Sequence, residues 1–204
     1  LGAKTKAVLS EDGTEWILNG QKMWITNAGF ADLFTVFAQV EDDSRLDAKG
    51  FTGFLIPATL DNIRLGAEED KLGIRGSSTR QVFFEGVKVP VENVLGEIGK
   101  GHKIAFNVLN IGRYKLGLLA IGGCKAGVNK SIQYANEREQ FGTTIGNFGA
   151  IKHKIGEQAI RTFATESAVY RVSGLIKDAI EAGVAKGMSP VEAKLAAADE
   201  YSIE

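Results

Sequence analysis

The chain has 204 residues, 44% of them hydrophobic and 24% charged, with a formal net charge of −1. Near-neutrality excludes a global field that would draw the chain to nucleic acid or an anionic membrane. The lone cysteine, Cys124, excludes an internal disulfide framework or a cysteine-rich metal site and fits a reducing compartment; no uninterrupted apolar run approaches the length that spans a bilayer.

The chain opens Leu1-Gly-Ala-Lys, without an initiator Met or signal segment, and closes at Glu204 inside a helical pattern. Both ends are therefore read as cut from a longer chain. The first strong local signal is Asn19-Gly20 between apolar runs, which predicts a hairpin pairing Glu15–Leu18 with Lys22–Thr26. Alternation along the second strand puts Trp24 and Thr26 on one face. From these residues alone a core tryptophan beside a strand threonine is the favoured reading. The other is an indole and a hydroxyl that support and bond an extended aromatic ring. Further strands are predicted within Ala31–Val40 and over Phe51–Ile56, Ile63–Leu65, Arg80–Glu85 and Val87–Val89. Glu41–Gly50 reads as a hairpin loop, and Pro57 and Pro90 as strand ends. Short strands at this spacing suggest a sandwich or barrel.

After Gly101 the period becomes helical, with helices predicted at about 102–137, 148–183 and from 190 onward. Ile151, Ile155, Val169, Ile176 and Ile180 form one apolar stripe, and Leu118, Ile121, Val128 and Ile132 another. Ser189-Pro190 with Glu192 makes a good N-terminus. Gly96-Glu-Ile-Gly-Lys-Gly101 lacks the Ser or Thr of a phosphate loop and reads as a flexible joint. His102 and His153 have no companions at ligand spacing, so no metal site is expected, and Cys124 reads as packed. Gly112 in mid-helix suggests close approach by something, helix packing being the plain explanation. Gly142 reads as the residue just past the first helix, with Arg138 favouring its negative end. The expected fold class is α+β: a β-sandwich or barrel-like domain over 1–98, then part of an antiparallel helical bundle over 99–204.

Four segments resemble the signatures of the acyl-CoA dehydrogenase family, in family order: Leu18-Asn-Gly-Gln-Lys-Met-Trp-Ile-Thr-Asn-Ala28, Lys71-Leu-Gly-Ile-Arg-Gly-Ser-Ser-Thr79, Phe83-Phe-Glu-Gly-Val-Lys-Val-Pro-Val-Glu-Asn-Val-Leu-Gly96 and Glu137-Arg-Glu-Gln-Phe-Gly142. The resemblance runs end to end. It implies the family's middle domain and the first helices of its C-terminal domain. It also implies FAD as cofactor and α,β-dehydrogenation of a fatty acyl-CoA thioester in β-oxidation, with electrons passed to an electron-transfer flavoprotein. Trp24, Ile25 and Thr26 would contact the isoalloxazine. Arg138, Gln140 and Phe141 would reach the FAD of a neighbouring subunit, with Arg138 on its pyrophosphate. Phe148 and Gly149 stand where many members have His-Gln; Asn147-Phe148-Gly149 looks like the very-long-chain branch, which favours a long or very long acyl chain.

Asn110, Ile111, Gly112 and Arg113 would line the acyl-CoA pocket. One branch of the family carries its catalytic Glu at the position of Gly112. No residue here matches the family's base, which is expected beyond Glu204, so the 204-residue chain by itself is expected to be inactive. The resemblance further implies a homodimer or homotetramer, with a cytoplasmic location if bacterial and a mitochondrial one if eukaryotic. Neither nucleic acid nor metal is implied, and membrane association is left open. An acyl-CoA oxidase and a non-catalytic assembly paralogue are the alternatives.

Overall fold

The computed structural model describes residues 2–201. The expectation of a helix cut short at Glu204 falls on residues outside that range. The chain divides into two compact units, Leu1–Ala105 and Phe106–Glu204.

The first unit holds β1 (Lys6–Leu9), β2 (Glu15–Thr26), β3 (Leu33–Val40), β4 (Gly50–Pro57), β5 (Ile63–Glu68), β6 (Thr79–Pro90) and β7 (Val94–Leu95). They form one hydrogen-bonded sheet in the order β5-β6-β2-β1-β3-β4-β7. Only the β1–β3 pair is parallel. Alternating residues of β2, β3, β4 and β6 make the core, among them Trp16, Leu18, Phe34, Val36, Phe54, Ile56, Val82 and Phe84. Trp16 on β2 meets Phe54 on β4 edge-on, ring centroids 5.8 Å apart. In sheet order β1 and β3 lie between those strands, a lateral span of about 14 Å in a flat sheet. The sheet therefore curls around its core.

The expected hairpin at Asn19-Gly20 is not formed. β2 runs through it as one strand, antiparallel to β6 over Glu15–Thr26. The glycine serves a different need: a Cβ on Gly20, whose φ is +142°, would lie 2.7 Å from Thr5 Cα. The asparagine serves the partner strand. The register steps from Leu18↔Val87 to Asn19↔Glu85, leaving Gly86 as a bulge at φ +75°. The freed Gly86 N–H donates to Asn19 Oδ1 at 2.8 Å. For the same reason Arg80–Glu85 and Val87–Val89 are one strand, not two. The Gly96–Gly101 segment is no loose joint. Gly99 N–H donates to Thr52 Oγ1 at 2.9 Å, and a Cβ on Gly101 would meet the β4 backbone at 2.9 Å.

The second unit is built on α1 (Gly101–Glu137), α2 (Gly149–Ala185) and α3 (Pro190–Tyr201), with a two-stranded ribbon, β8 (Glu139–Gln140) and β9 (Thr143–Thr144), after α1. Phe141 and Gly142 form its two-residue turn, with φ +57° and +79°. Gly142 is thus a hairpin residue and not the stop of α1, and the primed turn expected near residue 20 occurs here. α2 ends on Gly187 at φ +92°, where Gly187 N–H bonds Val184 O and Met188 N–H bonds Gly183 O. Ser189 then caps α3 reciprocally: Glu192 N–H donates to Ser189 Oγ at 3.2 Å, and Ser189 N–H to Glu192 Oε2 at 3.0 Å. Buried Gly183, Ala193, Ala197 and Ala198 let α2 and α3 pack closely.

Elsewhere these helices are open. Of the Leu118–Ile132 stripe only Ile121 is buried, and Cys124 is exposed rather than packed. Contrary to the run-length reading, α1 is long and apolar enough to cross a membrane by length and composition. Its apolar residues are interrupted by single lysines and arginines, which break a run but only dilute a window.

Candidate functional site

Trp24 is 69% exposed and adopts φ +53°. The core reading of this residue is therefore wrong; Trp16 is the core indole, 2% exposed. The cause is a bulge. Between Lys22↔Val82 and Ile25↔Arg80 the pair Met23-Trp24 faces the single residue Gln81, which interrupts the alternation on which the sequence reading relied. Ile25 stays half-buried, Thr26 is exposed, and the chain then turns through Asn27 at φ +67°.

A polar network braces this end of the sheet. Glu68 accepts from Ser78 Oγ at 2.7 Å, Thr79 N–H at 2.9 Å and Arg80 Nε at 2.7 Å. These donors hold its carboxyl well below the ordinary range, at about 2, the Ser78 hydroxyl contributing most. Ser78 also accepts Gly29 N–H through Oγ at 3.0 Å and Asn27 N–H through its carbonyl at 2.8 Å. Lys71 Nζ, early in the loop from β5 to β6, donates to Ser77 O and Thr79 Oγ1 at 2.6 and 2.9 Å. Half-buried Lys22 donates to Phe37 O at 2.6 Å, and burial lowers its pKa. Neither Glu68 nor Lys22 was legible as a site residue, because their partners lie across strands and not nearby in sequence.

The other sequence-predicted residues lie in the helical unit. Asn110 is only 5% exposed, with Nδ2 donating to Asp199 Oδ1 at 2.9 Å and Oδ1 accepting from Arg113 Nη1 at 3.1 Å. Its amide is thus committed to α3 and to its own helix. Arg113 is exposed. Among the described residues a Cβ on Gly112 would meet nothing within 4 Å, so none of them makes the close approach inferred from sequence. Ile111 borders an apolar cavity of ≈ 200 Å³ shared with Tyr114, Ile176 and Ile180.

Past α1, Arg138 and Gln140 are exposed. Among the described residues the Arg138 guanidinium has no partner, while Gln140 Nε2 donates to Glu139 O at 2.7 Å. Phe141, 93% exposed at the ribbon tip, meets Phe148 edge-on at 6.2 Å. Phe148 precedes α2 without a side-chain cap, and Gly149 opens the helix. Among the described residues no group of three metal-ligating side chains occurs.

Comparison with known proteins accounts for both units. The profile "Acyl-CoA dehydrogenase, middle domain" matches residues 1–87, and "Acyl-CoA dehydrogenase, C-terminal domain" matches residues 99–200. A probable acyl-CoA dehydrogenase of Bacillus subtilis (strain 168) is 47% identical over 204 residues, covering 100% of this chain and 33% of the relative. The mitochondrial very long-chain specific acyl-CoA dehydrogenase of Rattus norvegicus is 41% identical over 191 residues, 90% of this chain and 29% of the relative. Among solved structures, an acyl-CoA dehydrogenase complexed with FAD from Bacillus anthracis superposes with TM-score 0.86 at 44% identity, over 99% of this chain and 34% of that one. Butyryl-CoA dehydrogenase from Megasphaera elsdenii does so with TM-score 0.73 at 30% identity, over 99% of this chain and 59% of that one. The chain spans about a third of the length of the curated relatives first named here. With its β unit matching one family domain and its helices the other, this chain belongs to the acyl-CoA dehydrogenase family.

Proposed function

We infer that the whole protein is an FAD-dependent dehydrogenase that introduces an α,β double bond into a fatty acyl-CoA, with long or very long chains favoured, as a step of β-oxidation. The observation that carries this reading is Trp24: a large apolar ring held outside the core by a bulge, with an exposed threonine two residues on. A flat indole suits one face of an isoalloxazine, Ile25 backs the strand, and the Thr26 hydroxyl can bond the ring's polar edge. The unpartnered Arg138 guanidinium suits a pyrophosphate, which it can grip through two parallel N–H donors. Arg138, Gln140 and Phe141 are assigned to the FAD of a neighbouring subunit, and Phe148, edge-on to Phe141, and Gly149 to the cofactor with them. When bound, FAD supplies the hydride acceptor.

The substrate assignment rests on Ile111, Gly112 and Arg113. Gly112 leaves room at the helix surface for an acyl-CoA, and Arg113 presents an exposed cation beside it. Asn110 orients Arg113 rather than touching substrate. No residue of this chain is assigned as the base that removes the α proton. Electron transfer to an electron-transfer flavoprotein, assembly as a homodimer or homotetramer, and a cytoplasmic or mitochondrial location according to source complete the proposal. The 41% identity to a very long-chain enzyme supports the chain-length preference.

A second reading, an acyl-CoA oxidase, draws support from likeness to a solved prolyl acyl carrier protein oxidase, TM-score 0.75 at 31% identity over 98% of this chain and 50% of that one. Anaerobic titration of the purified full-length protein with acyl-CoAs of graded length separates these outcomes. The expected result is a flavin absorption band that bleaches best with long chains and recovers with an electron-transfer flavoprotein. Absence of a flavin band even after added FAD would overturn the cofactor assignment. Rapid recovery with oxygen alone would favour the oxidase.

A further inference from the structure

Gln81 on β6 is opposed by two residues on each side. On β2 the register steps from Lys22↔Val82 to Ile25↔Arg80, so Met23 and Trp24 share Gln81. On β5 it steps from Leu65↔Val82 to Glu68↔Arg80, so Gly66 and Ala67 share it too. A bulge adds local twist and re-aims side chains. Two at one level turn the end of the β5-β6-β2 ribbon as a single piece. That piece carries Trp24, whose left-handed backbone is costly for a bulky residue and persists only where its surroundings over-determine it.

One carboxylate ties the turned end together. Glu68 sits just past the β5 bulge and accepts from three consecutive residues of β6 and its approach, Ser78, Thr79 and Arg80. Thr79 is the register partner of Thr26, and Arg80 that of Ile25. Arg80 also donates Nη1 to Gly66 O at 3.2 Å, satisfying a carbonyl of the bulge. Through Ser78 the grip extends to the turn after Thr26, and closely: a Cβ on Gly29 would lie 2.5 Å from Ser78 Oγ. With side chains 46% and 32% exposed, the Glu68–Arg80 ion pair by itself contributes little. Three converging charge-assisted bonds, one from the backbone, fix geometry instead.

We propose that Glu68 is a positioning residue for the flavin-facing strand end: by gripping Ser78, Thr79 and Arg80 it holds the paired bulges and, with them, the exposed conformation of Trp24. This role rests on the flavin-facing reading of Trp24 and Thr26. Glu68→Ala removes the grip. Glu68→Gln keeps an acceptor for Ser78 and Arg80 but turns an amide NH2 against the Thr79 N–H, so its effect falls between. The test is 19F NMR of the full-length protein labelled with 5-fluorotryptophan, in FAD-free and FAD-loaded forms, with Trp24 assigned by Trp24→Phe.

In the unsubstituted protein FAD should move the Trp24 resonance. E68A should shift that resonance already without FAD, leave the Trp16 resonance in place and weaken FAD binding about tenfold. If FAD leaves Trp24 unmoved in the unsubstituted protein, the flavin-facing reading fails and this role with it. If FAD moves Trp24 but E68A changes neither its FAD-free resonance nor the affinity, the positioning role alone is overturned. A Trp16 shift as large as that of Trp24 would also overturn it, since the effect would then be general to the sheet.

Discussion

Asn110 donates its side-chain amide to Asp199 at 2.9 Å across 89 residues of sequence, and so presents its own carbonyl oxygen to Arg113. A primary amide has one donor end and one acceptor end, so engaging the first at a carboxylate determines where the second points. Asn110→Asp sets two carboxylates against each other in a nearly buried site. A loss of about 1–3 kcal/mol is expected, read by urea unfolding, with partial recovery in the double variant carrying Asp199→Asn.

Gly20 and Gly86 both have positive φ, but their surroundings differ. Alanine at 86 meets nothing within 4 Å, whereas alanine at 20 lands 2.7 Å from the Thr5 backbone. Gly86→Ala should cost about 1–2 kcal/mol from backbone conformation alone. Gly20→Ala should cost about 1–3 kcal/mol more from overpacking. Equal denaturation midpoints for the two variants would show that the chain at Thr5, just before β1, yields freely.

Gly112 carries an inverse expectation. None of the described residues lies within 4 Å of its Cβ position, so Gly112→Ala should stabilise α1 by about 0.5–1 kcal/mol. If acyl-CoA uses the space, the same variant should raise KM while the melting temperature rises. Unchanged KM would remove Gly112 from the substrate assignment.

Acid should weaken the β unit through three carboxyls held at about 2. Glu68 is bonded first by Ser78, Asp12 first by Ser10, and Asp43 first by Arg45. A carboxyl depressed on folding contributes stability that is complete above its unfolded pKa and disappears as pH falls through its folded pKa. The ordinary values are 4.5 for Glu68 and 3.8 for the two aspartates, so the loss should run from there down to about 2. Denaturation midpoints followed across that range should fall, and Glu68→Gln should flatten the fall. An unaltered slope would mean that the Ser78 and Arg80 contacts do not persist in solution.

Ser189 and Glu192 cap α3 reciprocally, and Glu192 has a lowered pKa caused first by the Ser189 hydroxyl. Ser189→Ala should cost about 1 kcal/mol, visible as a lower helical melting midpoint by circular dichroism.

The helices were legible in the sequence almost to the residue: about 102–137 against Gly101–Glu137, and about 148–183 against Gly149–Ala185. Their signals are local, a period of 3.6 and a Ser-Pro start, and local signals survive in a one-dimensional reading. The family signatures were legible for the same reason, being contiguous. What the sequence could not decide is how β2 meets its neighbours. Asn19-Gly20 carries the local grammar of a turn, yet the pairing of β2 with β6 outweighs it, and the same two residues serve a bulge and a close approach. Trp24 read as core because alternation was assumed unbroken. Its exposure follows from a bulge opposite Gln81, and that register exists only once strands more than fifty residues apart in sequence are hydrogen-bonded. Likewise the donors that converge on Glu68 meet it only once β5 pairs with β6, and Asp199 comes to Asn110 from distant chain. Periodicity and capping are short-range and belong to the sequence, whereas register and side-chain convergence are long-range, and only the tertiary structure decides them.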